Sequence, residues 1–96
     1  MVRVDGVGVD AARMAADGLT LVLQQAIRAE RARLGISQEV LAARTGWSRS
    51  RIAAVETGVR RIYAHELPLL CKALEVQLPQ LLSRASAEDR RWLGIS

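Results

Sequence analysis

Phenylalanine is absent from the chain, and cysteine, histidine and lysine occur once each, with two prolines, in 96 residues. A lone Cys71 excludes an internal disulfide. It sits in the apolar stretch Leu69-Leu70-Cys71 and reads as a small buried hydrophobe. With His65 as the only other soft ligand, no zinc cluster can be assembled, and no cofactor or metal is expected. No apolar run approaches the ~18 residues needed to span a bilayer. No helix sets a Lys/Arg face against bulky aromatics, so membrane-surface binding is not expected. The amino terminus, MVRVDGVGVD, carries Asp5 and Asp10 and has no long apolar segment, unlike a signal peptide. The expected location is cytoplasmic.

Chemistry is equally thinly provided for. No glycine-rich phosphate loop follows a strand. The acids are scattered, and Glu88-Asp89 lies beside Arg90-Arg91 like a solvated face rather than a catalytic pair. An enzyme is not expected, and no catalytic residue is assigned.

What remains is apolar and basic. Half the residues are apolar and 25% are charged, as in a globular domain. Trp47, Tyr63 and Trp92 are the only aromatics, so the core must come from Leu, Ile, Val and Ala. Alternating β-branched residues are missing beyond the first nine positions, which predicts an all-α fold. The net charge is +4, and thirteen of the fourteen basic residues are Arg. Arg presents a rigid fork suited to phosphate and guanine, so a basic surface of this kind favours nucleic acid.

The pattern predicts five helices, with a sixth short turn in the tail. Gly6 and Gly8 argue against helix at the start, where Val2, Val4, Val7 and Val9 suit an arm or short strand. Asp10 to Asp17 suits a helical turn or two. Helix one is expected from about Leu19 to Arg33, with Leu19, Leu23, Ile27 and Leu34 on one stripe and Gly35 as its cap. Helix two follows Ser37 and runs to about Thr45. Helix three follows Ser48 and ends near Thr57 and Gly58. Helix four is expected from about His65 to Leu74, with Pro68 in its first turn and Leu67, Leu70, Ala73 and Leu74 inward. Helix five is expected at about 79–84, and a last turn near 87–93. The expected organisation is an amino-terminal arm (1–18), disordered or partner-binding, a binding domain (19–84) and a tail (85–96) that forms a short helix or a dimer contact; helix five, the tail and the Val-rich arm are the candidate dimer surfaces.

Ser37 to Gly58, SQEVLAARTGWSRSRIAAVETG, is the informative segment. Two helices crossing at roughly 90–120° through a short turn approach closely at the crossing. Ala42 is small enough for that point. Gly46 accommodates a positive φ in the turn. Leu41, Ile52 and Val55 lock the angle. The helix so held begins with an Arg-rich end suited to a DNA groove.

With these residues in place, the chain resembles the Cro/C1-type helix-turn-helix family, the xenobiotic-response-element-like regulators. The resemblance covers about Ile27 to Leu82: IRAERARLGISQEVLAARTGWSRSRIAAVETG, then ELPLLCKALEVQLPQLL. It implies a compact five-helix bundle of the lambda-repressor-like type that binds operator DNA as a dimer, with helix three in the major groove. It also implies that Gln38 grips the DNA backbone and that Arg31 pairs with Glu56. Trp47 departs from the Val or Ile usual in the turn and is expected to cover the core.

Helix direction puts Arg49, Ser50 and Ala53/Ala54 on or near the outward face, and Arg49, Ser50, Arg51 and Ala54 are the base-reading candidates. Arg49 suits guanine and Ala54 a thymine methyl, while Arg51 is left open between base and phosphate. Thr57, Arg60 and Arg61 join Gln38 as candidate phosphate contacts. With Glu56 paired, the surface from Arg49 to Arg61 is expected to be strongly positive. The leading expectation is a homodimeric transcriptional repressor of double-stranded DNA. Alternatives are an antitoxin-like regulator that also binds a toxin protein, and a protein-interaction adaptor on the same fold.

Overall fold

The computed structural model describes residues 6–95, with side chains from Asp17 onward. Among them there is no strand. Helix α1 spans Gly6–Leu34, α2 Gln38–Thr45, α3 Arg49–Glu56, α4 Leu67–Ala73, α5 Leu78–Leu81 and α6 Ala87–Trp92, with a single 3-10 turn at Ala64–Glu66 leading into α4.

The start of the chain differs from expectation. Helix α1 begins at Gly6 and passes without a break through the boundary expected at residues 18 and 19. Asp10-Ala11-Ala12-Arg13-Met14-Ala15-Ala16 is a run of good helix formers, and glycine costs only about 1 kcal/mol per residue relative to alanine. Gly6 and Gly8 fall in the first turn, so the run propagates through them. Val7 and Val9 are therefore helical, not part of a strand, while Val2 and Val4 lie outside the described residues. Two smaller differences concern α4 and α5. The turn expected to open helix four is 3-10, and Pro68 stands in the first turn of α4 itself. Helix α5 is one turn long, because the Ser83 N–H bonds back to Gln80 and tightens the chain before Arg84.

The core lies where α1 to α5 meet. Leu23, Ala26 and Ile27 of α1, Leu41 and Ala42 of α2, and Ile52 and Val55 of α3 pack with Leu70, Ala73, Leu74, Val76, Leu81 and Leu82. Ile27, Leu41, Leu70, Leu74 and Leu81 are wholly enclosed. Each buried side chain of this size stabilises the fold by about 1.5–3 kcal/mol relative to exposure. Leu19 and Trp47 pack against the rim of the same core. Cys71 is half-buried there, and burial pushes its thiol pKa up. The consequence of this packing is that α3 rests on the bundle through Ile52, Val55 and the buried Glu56, while Arg49 and Ser50 at its amino-terminal end stay exposed.

Candidate nucleic-acid interface

Local chemistry builds the helix-turn-helix. Ser37 caps α2, its Oγ accepting from the Val40 N–H at 3.2 Å. Ser48 caps α3 in the same way, accepting from the Arg51 N–H at 3.1 Å. Between them Gly46 adopts φ 75°, and its N–H closes on the Ala42 carbonyl. Thr45 completes the corner, donating its hydroxyl to the Leu41 carbonyl at 2.9 Å and accepting from the Trp47 N–H at 3.3 Å. Each cap contributes about 1 kcal/mol and fixes where its helix begins. The orientation of α3 follows from these bonds and from Ile52 and Val55 beneath.

The far end of α3 is tied to α1. Glu56 is 2% exposed and faces Arg31 with both oxygens, Nε to Oε2 and Nη2 to Oε1, each at 3.0 Å. Arg31 also donates to the Ile36 carbonyl at 3.0 Å. Gln38, at the first position of α2, donates from Nε2 to Glu56 Oε1 at 3.4 Å. One carboxylate thus gathers α1, α2 and α3. The Glu56 pair raises the Arg31 pKa against the opposing effect of burial.

Of the base-reading candidates, Arg49 and Ser50 are exposed at the start of α3, while Ala54 is half-buried on the same helix. Arg49 Nε reaches Glu39 Oε1 of α2 at 3.0 Å, with both side chains largely in solvent. The Glu39 pKa is lowered, chiefly by a hydrogen bond from its own backbone N–H, with Arg49 adding to the effect.

Arg51 is placed differently. It turns away from the exposed end, donates from Nη2 to Glu66 Oε2, and lies with Cζ 3.9 Å from the centre of the Trp47 ring. Of the phosphate candidates, Thr57 is exposed but spends its hydroxyl proton on the Ala53 carbonyl at 2.9 Å. Arg61 is exposed, 3.9 Å from Asp17. Arg60 folds inward, its Nη2 3.3 Å from Glu66 Oε2 and its Cζ 5.5 Å from the Trp47 centroid.

Glu66 is the residue that sequence reading missed. It is 6% exposed and also accepts the Tyr63 N–H at 2.9 Å. Burial raises its pKa, but the Tyr63 N–H, Arg60 and Arg51 outweigh burial and hold the carboxyl below the usual 4.5. The only signal for it in the sequence is an acid three positions after Tyr63, where a side chain can reach back to a helix start. The surface is therefore less positive than the local count of Arg suggested. Glu39, Glu66 and Asp17 each meet one or two of its guanidinium groups, and Glu66 and Asp17 come from elements outside the segment.

A two-helix corner capped at both helices, with an exposed basic helix end held over a closed core, defines a DNA-binding helix-turn-helix protein. A helix-turn-helix family model matches residues 27–81, more than half of the chain. The chain belongs to that family, of the Cro/C1 type. Among solved structures it is similar to the restriction-modification controller protein C.AhdI from Aeromonas hydrophila. The two are 33% identical over 69% of this chain and 97% of that one, with a TM-score of 0.59. It is similar also to the restriction-modification controller protein C.Esp1396I, solved as a tetramer in complex with its natural 35 base-pair operator. There the identity is 27% over 74% of this chain and 93% of the other, with a TM-score of 0.65. No curated protein matches the chain. Among the described residues, no helix is long and apolar enough to cross a membrane.

Proposed function

We propose that the chain is a sequence-specific transcriptional regulator that binds double-stranded operator DNA as a homodimer, acts as a repressor, and inserts α3 into the major groove. One observation carries this reading: Arg49 and Ser50 stand exposed at the amino-terminal end of α3, while Ile52 and Val55 on its other face are closed into the core. A helix presented in this way can lay its first turn along base edges. The likeness to a controller protein solved on its operator supports the same reading.

In this arrangement Arg49 takes a guanine through O6 and N7, Ser50 adds a weaker polar contact, and Ala54 meets a thymine methyl. Gln38 and Arg61 flank α3 and contact phosphates, and Thr57 does so when its hydroxyl turns from the Ala53 carbonyl. The Gln38 amide nitrogen carries two protons and uses one on Glu56, so one is left for an external acceptor. Arg51 and Arg60 reach DNA only by leaving Glu66. Residues 19–84 form the binding unit, and 1–18 and 85–96 supply partner or dimer contacts.

Two copies place their third helices ~34 Å apart on one face of the duplex. If a dimer neutralises about eight phosphates, log affinity falls against log salt with a slope of about −7. Selection from a pool of random duplexes, followed by a salt titration on the selected site, tests the reading. Two half-sites about one helical turn apart are expected. Absence of salt-dependent duplex binding would sink it.

A second reading adds a protein partner to the DNA, as in an antitoxin-like regulator. It is favoured by Trp92, which is 84% exposed at the end of α6 beside the exposed Leu93. Loss of affinity for a co-purifying protein in Trp92→Ala, with duplex binding intact, is its expected signature.

A further inference from the structure

The four guanidinium groups around α3 fall into two pairs. The side chains of Arg49 and Arg61 are 65% and 75% exposed, whereas those of Arg51 and Arg60 are 31% and 30% exposed. The second pair converges on a single carboxylate, Glu66, and on the Trp47 ring, with Arg60 also 5.7 Å from the centre of the Tyr63 ring. Glu66 is itself fixed, because it accepts the Tyr63 N–H at the mouth of the 3-10 turn.

The held pose of Arg51 leaves one of its own donors without a partner. Its Nε is buried without an acceptor. A buried N–H left unpaired is unfavourable, so the carboxylate and the ring must hold the side chain against that cost. One carboxylate against two guanidinium groups also leaves one positive charge uncompensated. Without the carboxylate, two long cationic side chains would be released at the edge of the reading surface.

We propose that Glu66 is a positioning residue for DNA discrimination: it restrains Arg51 and Arg60 so that they do not grip phosphates of any sequence, leaving recognition to the exposed end of α3. The proposal rests on the reading of the chain as a DNA-binding regulator. Its physical basis is that phosphate contacts add affinity without sequence information. Every free Arg beside α3 therefore strengthens random binding more than it strengthens selection. Restraint of two of the four lowers affinity for random DNA and widens the gap to the operator.

Glu66→Gln tests this. The amide keeps the shape and the carbonyl oxygen that accepts the Tyr63 N–H, but removes the charge and replaces the oxygen facing Arg51 and Arg60 with an NH2 donor that cannot hold them. Binding of the unaltered chain and of the variant is measured on a random-sequence duplex and on the site selected from a random pool, across a range of salt. In the variant, affinity for the random duplex rises and the salt slope steepens by about 1–2 per chain, for one or two additional phosphates. The ratio of selected to random affinity falls. An unchanged or shallower slope overturns the proposal, and so does an equal fold-loss on both duplexes, which is what a merely structural role would give.

If the unaltered chain shows no salt-dependent duplex binding, the regulator reading fails and the proposal with it. Binding by the unaltered chain with no steepening in the variant defeats the proposal alone. Arg51→Gln serves as an independent check should Glu66→Gln not fold. It reduces the random-duplex slope by less than half of the reduction caused by Arg61→Gln, and equal reductions overturn the restraint.

Discussion

Arg31 and Glu56 meet in a two-pronged pair, 3.0 Å at each prong, that joins the last turns of α1 and α3. The acid is enclosed and the guanidinium is half-buried. Removal of one partner leaves the other desolvated and unpaired, which for buried pairs costs about 3–5 kcal/mol. Glu56→Ala is expected near the lower end of that range, because Arg31 retains some water. The double variant Arg31→Met/Glu56→Leu is expected to recover most of the loss, since an apolar pair needs no desolvation. Urea unfolding of the three chains measures this. Equal destabilisation in the single and double variants would contradict it.

Arg49 is the residue on which base choice is expected to turn. Arg49→Ala should relax preference at one operator position by about 1–3 kcal/mol, the value of one bidentate guanine contact. Arg61→Ala should weaken binding to every sequence alike and make the salt slope shallower by about 0.9 per chain. Selection profiles and salt titrations of both variants check this division. Identical profiles for the two would count against it.

Acid should weaken the fold through Glu66. Its folded carboxyl releases its proton below the ordinary 4.5 because Tyr63, Arg60 and Arg51 favour the charged form more than burial opposes it. Where the pKa is depressed on folding, the unfolded chain binds more protons. The contribution is therefore complete above 4.5 and is lost as pH falls through the folded value. Thermal melts from pH 7 to pH 3 should show a steeper acid limb in the unaltered chain than in Glu66→Gln. Parallel limbs would mean that Glu66 is not the group responsible.

Two glycines with positive φ should respond to alanine for different reasons. At Gly46, φ 75°, an added Cβ meets nothing within 4 Å, so Gly46→Ala carries only the backbone strain of about 1–2 kcal/mol. At Gly58, φ 79°, the Cβ would stand 2.5 Å from Gln24 Oε1, so Gly58→Ala adds displacement of that side chain to the strain. The larger fall in Tm is expected at Gly58. Gln24→Ala in the same chain should bring the two substitutions level.

Much of the scaffold was legible because its determinants are local. Ser37, Ser48 and Gly46 act on residues at most four positions away, so their roles as caps and corner can be read from spacing alone. The same holds for the apolar stripe of α1 through Leu23 and Ile27, because helix periodicity is itself local. The misjudged start of α1 shows the limit of that locality. Two glycines weigh against helix in their own window, while the alanine-rich run behind them carries the helix through.

The order of residues alone dictates the helix-turn-helix: its two helices, its corner, and which face of α3 turns inward. It also determined that Arg would dominate the surface. Which of those arginines are available depends on how distant parts of the chain pack together. Glu66 is 15 residues from Arg51 in the chain, and Asp17 is further still from Arg61. Charges are brought together across such distances by packing of the 3-10 turn, α1 and the loop after α3, and no local pattern encodes that meeting. A guanidinium group has enough reach and enough rotamers to serve a base, a phosphate or a carboxylate. Its partner is chosen by which acceptor the fold sets within that reach, and for Arg51 and Arg60 that acceptor is Glu66.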